Sequence, residues 1–91
     1  MMAQQELNTL FEFPCPFPIK IMGRNIPELV EQVKAALAEE QVNLDQAEFN
    51  VRESNAGKYL SIGVIFTAES KEQLDRLYQR LTSLPEVKMV L

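Results

Sequence analysis

Few side chains in this chain could carry acid–base or nucleophilic chemistry. The sequence has no histidine and a single cysteine, Cys15. Without histidine, neither a Ser–His or Cys–His catalytic pair nor a His-ligated zinc site can form. One cysteine cannot supply a Cys-rich metal site or an internal disulfide. Cys15 lies between two prolines with no histidine to activate it, so we expect no catalytic role for its thiol.

Carboxylates remain as ligands for a metal ion, because Mg²⁺ and Ca²⁺ prefer oxygen. The chain contains 13 Asp and Glu residues, but they do not follow the spacing of an EF-hand loop. Asp45 and Glu48 are isolated from the others. The sequence therefore predicts no metal site and no cofactor.

The segment Gly23-Arg24-Asn25 is the best candidate for a binding site. It follows an apolar strand pattern and precedes a helical one, and free N–H groups at a helix start favour anions. Acylphosphatases hold phosphate with an arginine in the loop after their first strand, but the loop here is short and lacks their glycine-rich pattern. We therefore expect a turn whose first role is geometric, with no catalysis. Binding of a small ligand or a partner is predicted at Gly23, Arg24 and Asn25.

The elements that position this turn follow from hydrophobic periodicity. Asn25 is the expected N-cap of the first helix, and Ser70 with Gln73 forms a capping box for the second. Two acidic residues at the end of the first helix, Glu39 and Glu40, are expected to be solvated and frayed. We predict strands at 17–23, 46–54, 58–68 and 87–91, and helices at 26–41 and 70–83.

The order β-α-β-β-α-β predicts a ferredoxin-like α+β fold, a βαββαβ sandwich. In this fold a four-stranded antiparallel sheet carries both helices on one face, and right-handed crossovers place the first and third strands in the centre. We assign residues 17–91 to this single domain. Residues 1–16 contain Pro14 and Pro16 and are expected to form an extended N-terminal arm.

The sheet face without helices is expected to carry scattered apolar residues. Strand alternation places on it Met22, Tyr59, Gly63, Ile65 and Val90. If these residues are contiguous, they form an interface with a partner or a second copy, and Gly63 marks a bulge or a close approach. RNA-recognition motifs place several aromatic residues on this face, and Tyr59 is the one candidate here.

Charge and the N-terminal residues restrict the partners and the compartment. The chain has 9 Lys and Arg against 13 Asp and Glu, a net charge of −4, so we expect no nucleic-acid binding, which needs clustered cations. No basic segment followed by an apolar run opens the chain, so no signal peptide is predicted. No stretch approaches about 18 apolar residues, so no membrane span is expected. Together with the lone cysteine, these features predict a cytoplasmic protein, with an organellar protein that lacks its transit peptide as the alternative.

Three segments of the chain resemble a known family. They are Phe11-Glu12-Phe13-Pro14, the strand Phe-Pro-Ile-Lys-Ile-Met-Gly at 17–23, and the ending Val87-Lys88-Met89-Val90-Leu91. Together they resemble the YbeD-like family of small bacterial proteins of unknown function. The resemblance extends over about residues 7–91.

That family is similar in fold to ACT-type regulatory domains, which bind amino acids or similar small molecules near the turn after the first strand, usually between paired domains. The resemblance implies a non-catalytic, ACT-like regulatory module. It implies binding of a small ligand or a partner protein around Gly23, Arg24 and Asn25, and a homodimer. The alternatives are a protein-interaction adaptor that uses the open sheet face, and a small enzyme of acylphosphatase type.

Overall fold

The predicted fold class is confirmed by the computed structural model, which describes residues 12–54 and 56–91. Residues 1–11 of the predicted arm lie outside this part. The strands form one antiparallel sheet in the order β2-β3-β1-β4. The elements are β1 (Cys15–Arg24), α1 (Pro27–Glu39), a short 3-10 turn (Leu44–Gln46), β2 (Glu48–Glu53), β3 (Tyr59–Ala68), α2 (Lys71–Thr82) and β4 (Val87–Val90).

Both helices cover one face of the sheet and close a single apolar core. The core residues alternate along the central strands and recur at helical spacing along α1 and α2. Among the described residues, no helix packs on the other face of the sheet. No helix in that part of the chain has both the length and the apolar character needed to cross a bilayer. The most deeply buried side chains are Ile21, Leu29, Val33, Leu37, Ile62, Leu77 and Leu81.

β1 begins at Cys15, inside the segment predicted to be an arm, although Pro16 and Pro18 lack the N–H groups that a central strand needs. The pairing shows why both prolines are tolerated. The Lys20 N–H donates to the Leu91 carbonyl (3.1 Å) and so points towards β4. Because the direction alternates along a strand, the nitrogens of Pro16 and Pro18 point to the same side as that of Lys20. β4 extends only as far as Lys20, so within the described residues no strand lies beside those nitrogens.

The two helices start differently. The Ser70 hydroxyl accepts the Gln73 N–H (3.0 Å), which confirms the predicted cap. The Gln73 side chain also reaches back, but it accepts the N–H of Glu69 (2.7 Å), one residue before the cap. The predicted cap of α1 by Asn25 is wrong. Ile26 occupies the N-cap position and no side chain caps it. The Asn25 amide instead donates to the Gly57 carbonyl (2.8 Å), because the hairpin between β2 and β3 lies within its reach.

A bulge in β4 corrects the predicted placement of Val90. The pairing of β4 with β1 shifts between Met22 and Gly23, which leaves Lys88 as an extra residue in β4. The shift reverses the alternation, so Val90 faces the helices and packs against the core instead of lying on the open face. Met89 takes its place there and is 49% exposed, although strict alternation from the start of β4 predicts it on the helix side.

The end of α1 joins an ion cluster, and the predicted solvated, frayed end is wrong for Glu40, whereas the Glu39 side chain is 62% exposed as expected. The Glu40 side chain is 5% exposed and accepts hydrogen bonds from Arg76 Nε (2.8 Å) and Arg80 Nε (2.6 Å). The Gln73 amide donates to the Glu40 backbone carbonyl (2.8 Å). These hydrogen bonds, first from Arg80 and then from Arg76, hold the pKa of the Glu40 carboxyl below its ordinary value. The cluster therefore joins α1 to α2.

Candidate functional site

The turn between β1 and α1 is held from both sides by backbone hydrogen bonds. The Arg24 N–H donates to the Glu86 carbonyl (2.9 Å), just ahead of β4. The Asn25 N–H donates to the Lys58 carbonyl (2.9 Å), in the hairpin that joins β2 to β3. The turn is therefore fixed between the hairpin and the start of β4, which lie far from it in the sequence.

Gly23 lies beneath the turn and is buried. A Cβ at this position would lie 2.6 Å from the Glu86 carbonyl oxygen and 3.0 Å from Leu29 Cδ2. The missing side chain therefore allows β4 and α1 to approach β1 closely, and a positive φ is not the reason for this glycine. Gly23 is therefore part of the buried support of the turn, whereas Arg24 and Asn25 are accessible at the surface of the protein.

Above the turn lies a cleft of about 450 Å³ with three basic side chains. We call it the cationic cleft. Arg24 comes from the end of β1, Lys58 from the hairpin and Lys88 from the bulge in β4. Its full lining is Arg24, Asn25, Ile26, Gly57, Lys58, Tyr59 and Lys88.

Sequence reasoning found Arg24 and Asn25 but missed Lys58 and Lys88. The two lysines are about 30 residues apart, and each is an isolated basic residue in the sequence. The strand order contains the signal that could have found them, since β1 lies between β3 and β4. The bulge that places Lys88 at the cleft cannot be predicted from strand alternation alone.

The electrostatics of the cationic cleft favour an anion. The only ion pair of Arg24 among the described residues is with Glu86, at 3.6 Å, and its side chain is 60% exposed. A pair at that distance and exposure is weak, so the guanidinium can bind another anionic group. The start of α1 adjoins the cleft without a side-chain cap, but Pro27 has no N–H and Glu28 places a carboxylate in the first turn. The positive potential of the cleft therefore comes mainly from its three basic side chains.

The cationic cleft can bind and orient an anion, but it contains no evident acid–base pair. Its polar side chains are amide, guanidinium, ammonium and phenol groups. Within residues 12–54 and 56–91, no three Cys, Asp or Glu side chains are grouped closely enough to bind a metal. The arrangement therefore suits recognition of a carboxylate or phosphate group.

The open face of the sheet brings together four of the five predicted interface residues. Tyr59 is 43% exposed, Ile65 is 45% exposed, and Met22 is half-buried. Met22 lies opposite Ser61, near Tyr59, whereas Ile65 lies opposite Pro18 towards the other end of β3, so these residues share a face without forming one contiguous patch. Gly63 is neither a bulge nor a close approach, because the register is regular there and a Cβ would meet only ordinary contacts at 3.7 Å. It forms instead the floor of a shallow depression of about 520 Å³.

Comparison of the sequence with known families and proteins gives consistent matches. Residues 8–91 match the model of a family described as protein of unknown function (DUF493). A UPF0250 protein of Paraburkholderia phytofirmans is 43% identical over 83 residues, which cover 91% of this chain and 93% of that protein. A UPF0250 protein of Chromobacterium violaceum is 42% identical over 86 residues, which cover 94% of this chain and 97% of that protein.

Solved structures with the same fold include two of low sequence identity. The ACT domain from GTP pyrophosphokinase of Chlorobium tepidum has a TM-score of 0.68 at 13% identity, covering 84% of this chain and 94% of that one. Protein HP0495 from H. pylori has a TM-score of 0.76 at 15% identity, covering 100% of this chain and 96% of that one. At these identities the similarity shows the fold alone.

Proposed function

The chain belongs to the DUF493 family of proteins of unknown function, as its resemblance to YbeD-like proteins predicted, and we propose that it is a non-catalytic, ACT-like regulatory module. Its cationic cleft binds an anionic group. That group is a carboxylate or a phosphate, presented by a small molecule or by a partner protein.

The main support for this proposal is that Arg24, Lys58 and Lys88 line the same cleft, although the chain has a net charge of −4. Like charges gathered at one place repel each other, and a bound anion relieves that repulsion. Glu86 neutralises the cluster only in part, because it contacts Arg24 at 3.6 Å.

The fold supports the same proposal by analogy. The fold is that of an ACT domain, here the one from GTP pyrophosphokinase of Chlorobium tepidum, and the cationic cleft lies at the turn after the first strand. ACT-type domains bind small molecules near that turn, which is what the resemblance implied from the sequence. A shared fold does not transfer a ligand, so the identity of the anion has to come from experiment.

A thermal-shift screen tests the proposal. The full chain is heated with amino acids, small di- and tricarboxylates, inorganic phosphate and nucleotides, each at millimolar concentration. A ligand present at about 100 times its Kd adds about 2.7 kcal/mol to the free energy of unfolding and raises the melting temperature measurably. We expect anions with two or more charges to give the largest shifts.

Charge variants locate the site. Arg24→Gln and Lys88→Gln are expected to reduce the rise in melting temperature that the ligand causes. Arg52→Gln removes an equal charge from an exposed position on β2, and the ligand should still raise its melting temperature as in the parent. Absence of any shift across the panel contradicts the proposal, and so does a shift that Arg24→Gln leaves unchanged.

A second candidate function is a protein-interaction adaptor that uses the open sheet face. Exposed apolar residues at two places on that face favour it, Ile65 towards one end of β3 and Tyr59 with Met89 near the other. In a pull-down from bacterial lysate, Ile65→Glu should lose the captured partner, whereas Thr67→Glu, which is exposed on the same strand and face, should retain it. If both variants retain every partner, the open face is not the interaction surface.

A further inference from the structure

The open face of the sheet has a gap at Gly63, because this residue has no side chain. Gly63 lies on β3, opposite Lys20 of β1 on one side and Asn50 of β2 on the other. Among the described residues, a Cβ at this position would meet only Asn50, at 3.7 Å from its backbone oxygen and 3.9 Å from its Cβ. The space above Gly63 is therefore open, although side chains of all three strands border it.

Polar side chains border one end of this gap. Together with Gly63 they form a depression of about 290 Å³. Lys20 and Asn50 lie beside the gap, and Ser61 and Arg52 lie one two-residue step further along β3 and β2. Neighbouring strands are about 4.8 Å apart, so Lys20 and Arg52 stand on strands about 10 Å apart, with β3 between them. Their long side chains can therefore reach one small anionic group from opposite sides.

The charges of Lys20 and Arg52 are not neutralised within the described part of the chain. Neither side chain forms a hydrogen bond or an ion pair with any of residues 12–54 and 56–91. Arg76 and Arg80 differ from them, because both bind Glu40. The ammonium and guanidinium groups at the gap are thus available to a carboxylate, with which such groups form charge-assisted hydrogen bonds.

The other end of the gap is apolar. The depression of about 520 Å³ described above extends from Gly63 over Ile65 and Pro18. Ile65 is 45% exposed and lies opposite Pro18, one two-residue step along the strands from the gap. A planar ring on Gly63 and Ile65 covers this apolar surface, because no side chain of Gly63 holds the ring away from the sheet. Glu48 borders the same end, so a second negative charge there would be repelled.

We propose that the gap at Gly63 is a binding site for a small aromatic monocarboxylate. The ring lies on Gly63 and Ile65, and the carboxylate accepts hydrogen bonds from Lys20 and Arg52, with the Ser61 hydroxyl beside it. The lining of this site and the lining of the cationic cleft have no residue in common, so the inference does not rest on the function proposed above.

An amide NMR titration of the isotope-labelled full chain tests the site, with 2-naphthoate as the probe up to about 10 mM. We expect saturable shifts at Lys20, Asn50, Arg52, Gly63 and Ile65. Two control compounds separate the ring from the charge, since 2-naphthalenemethanol has the ring without the carboxylate and acetate has the carboxylate without the ring. Each control should bind more weakly than 2-naphthoate by roughly tenfold or more.

Variants of the full chain locate the site. Gly63→Val fills the gap with a side chain that strands favour, so the dissociation constant for 2-naphthoate should rise roughly tenfold or more, without a fall in melting temperature. Lys20→Gln and Arg52→Gln should each raise it about threefold or more. Arg24→Gln, at the cationic cleft, should leave it unchanged.

Four results would overturn the proposal. They are the absence of saturable shifts with 2-naphthoate, shifts confined to the cationic cleft, binding of 2-naphthalenemethanol as tight as that of 2-naphthoate, and a dissociation constant that Gly63→Val leaves unchanged. The charge variants test the site on their own if Gly63→Val fails to fold, because Lys20 and Arg52 are exposed. Unchanged binding of 2-naphthoate to both charge variants would then refute it.

Discussion

Gly23 shows how one missing side chain determines the shape of the cationic cleft. In the sequence Gly23 stands at the end of a strand, in a turn whose first role was expected to be geometric. The structure gives the physical cause, the contact of the Glu86 carbonyl and the Leu29 side chain with the space where a Cβ would lie. Such a contact depends on the path of β4 and cannot be predicted from residues near Gly23.

Substitution of Gly23 tests this account of the turn. Gly23→Ala places a Cβ within 2.6 Å of a backbone oxygen, so β4 or α1 has to move. We expect a loss of about 1–3 kcal/mol in the free energy of unfolding, measured by urea denaturation. Gly63→Ala is the matched control, because its Cβ meets only ordinary contacts and should be neutral or slightly stabilising. Equal stability of the two variants would contradict the role assigned to Gly23.

At the scale of elements, helix ends were predictable where the signal is local. The Ser70 cap bonds a residue three positions away, so the sequence shows it directly. The cluster at Glu40 was missed because Arg76 and Arg80 are 36 and 40 residues distant along the chain. The pairing of α1 with α2 creates it, and two acidic residues at a helix end look solvated without that information.

The Glu40 cluster predicts a pH dependence of stability. The pKa of the Glu40 carboxyl in the folded chain lies below the ordinary value of 4.5. The stability that the ionised carboxyl adds to the folded state is therefore fully present above pH 4.5, and it is lost as the pH falls through the folded pKa. Glu40→Gln should therefore destabilise the chain at pH 7, and the difference from the parent should shrink in acid. Urea denaturation at pH 7 and in the acid range measures both differences. Glu31→Gln, an exposed change on the same helix, is the control; a pH-independent difference for Glu40→Gln would refute the assignment.

The end of α1 also contains a residue that a glycine should improve. Gln41 has φ of 66°, and the next N–H, that of Val42, donates to the Leu37 carbonyl (3.0 Å), which is a Schellman ending. A left-handed conformation costs a residue with a Cβ roughly 1–2 kcal/mol, so Gln41→Gly should raise the free energy of unfolding by about 1 kcal/mol. Ala38→Gly, inside the helix, should lower it by a similar amount of about 1 kcal/mol. Calorimetry of the two variants should give opposite signs, and a loss of stability in both would show that the ending is not strained.

At the scale of the whole molecule, the sequence was sufficient for the architecture and insufficient for the site. Alternation and helical spacing are local patterns, so the order of elements and the two-layer sandwich could be predicted, and both are confirmed. The cationic cleft arises only when the sheet order places the hairpin and β4 beside the end of β1. Lys58 lies near Arg24 because β3 is next to β1 in the sheet, and Lys88 lies near it because β4 is next to β1 and contains a bulge.

Anion binding at the cationic cleft can be measured by an amide NMR titration of the isotope-labelled full chain, with inorganic phosphate and citrate as the probes. We expect saturable shifts confined to the cationic cleft, at Arg24, Asn25, Lys58 and Lys88 and in the first turn of α1. Those shifts should weaken in Arg24→Gln and persist in Arg52→Gln. Spectra that do not change with either probe, or shifts that cluster around Gly63 and Ile65 away from the cleft, would contradict binding there.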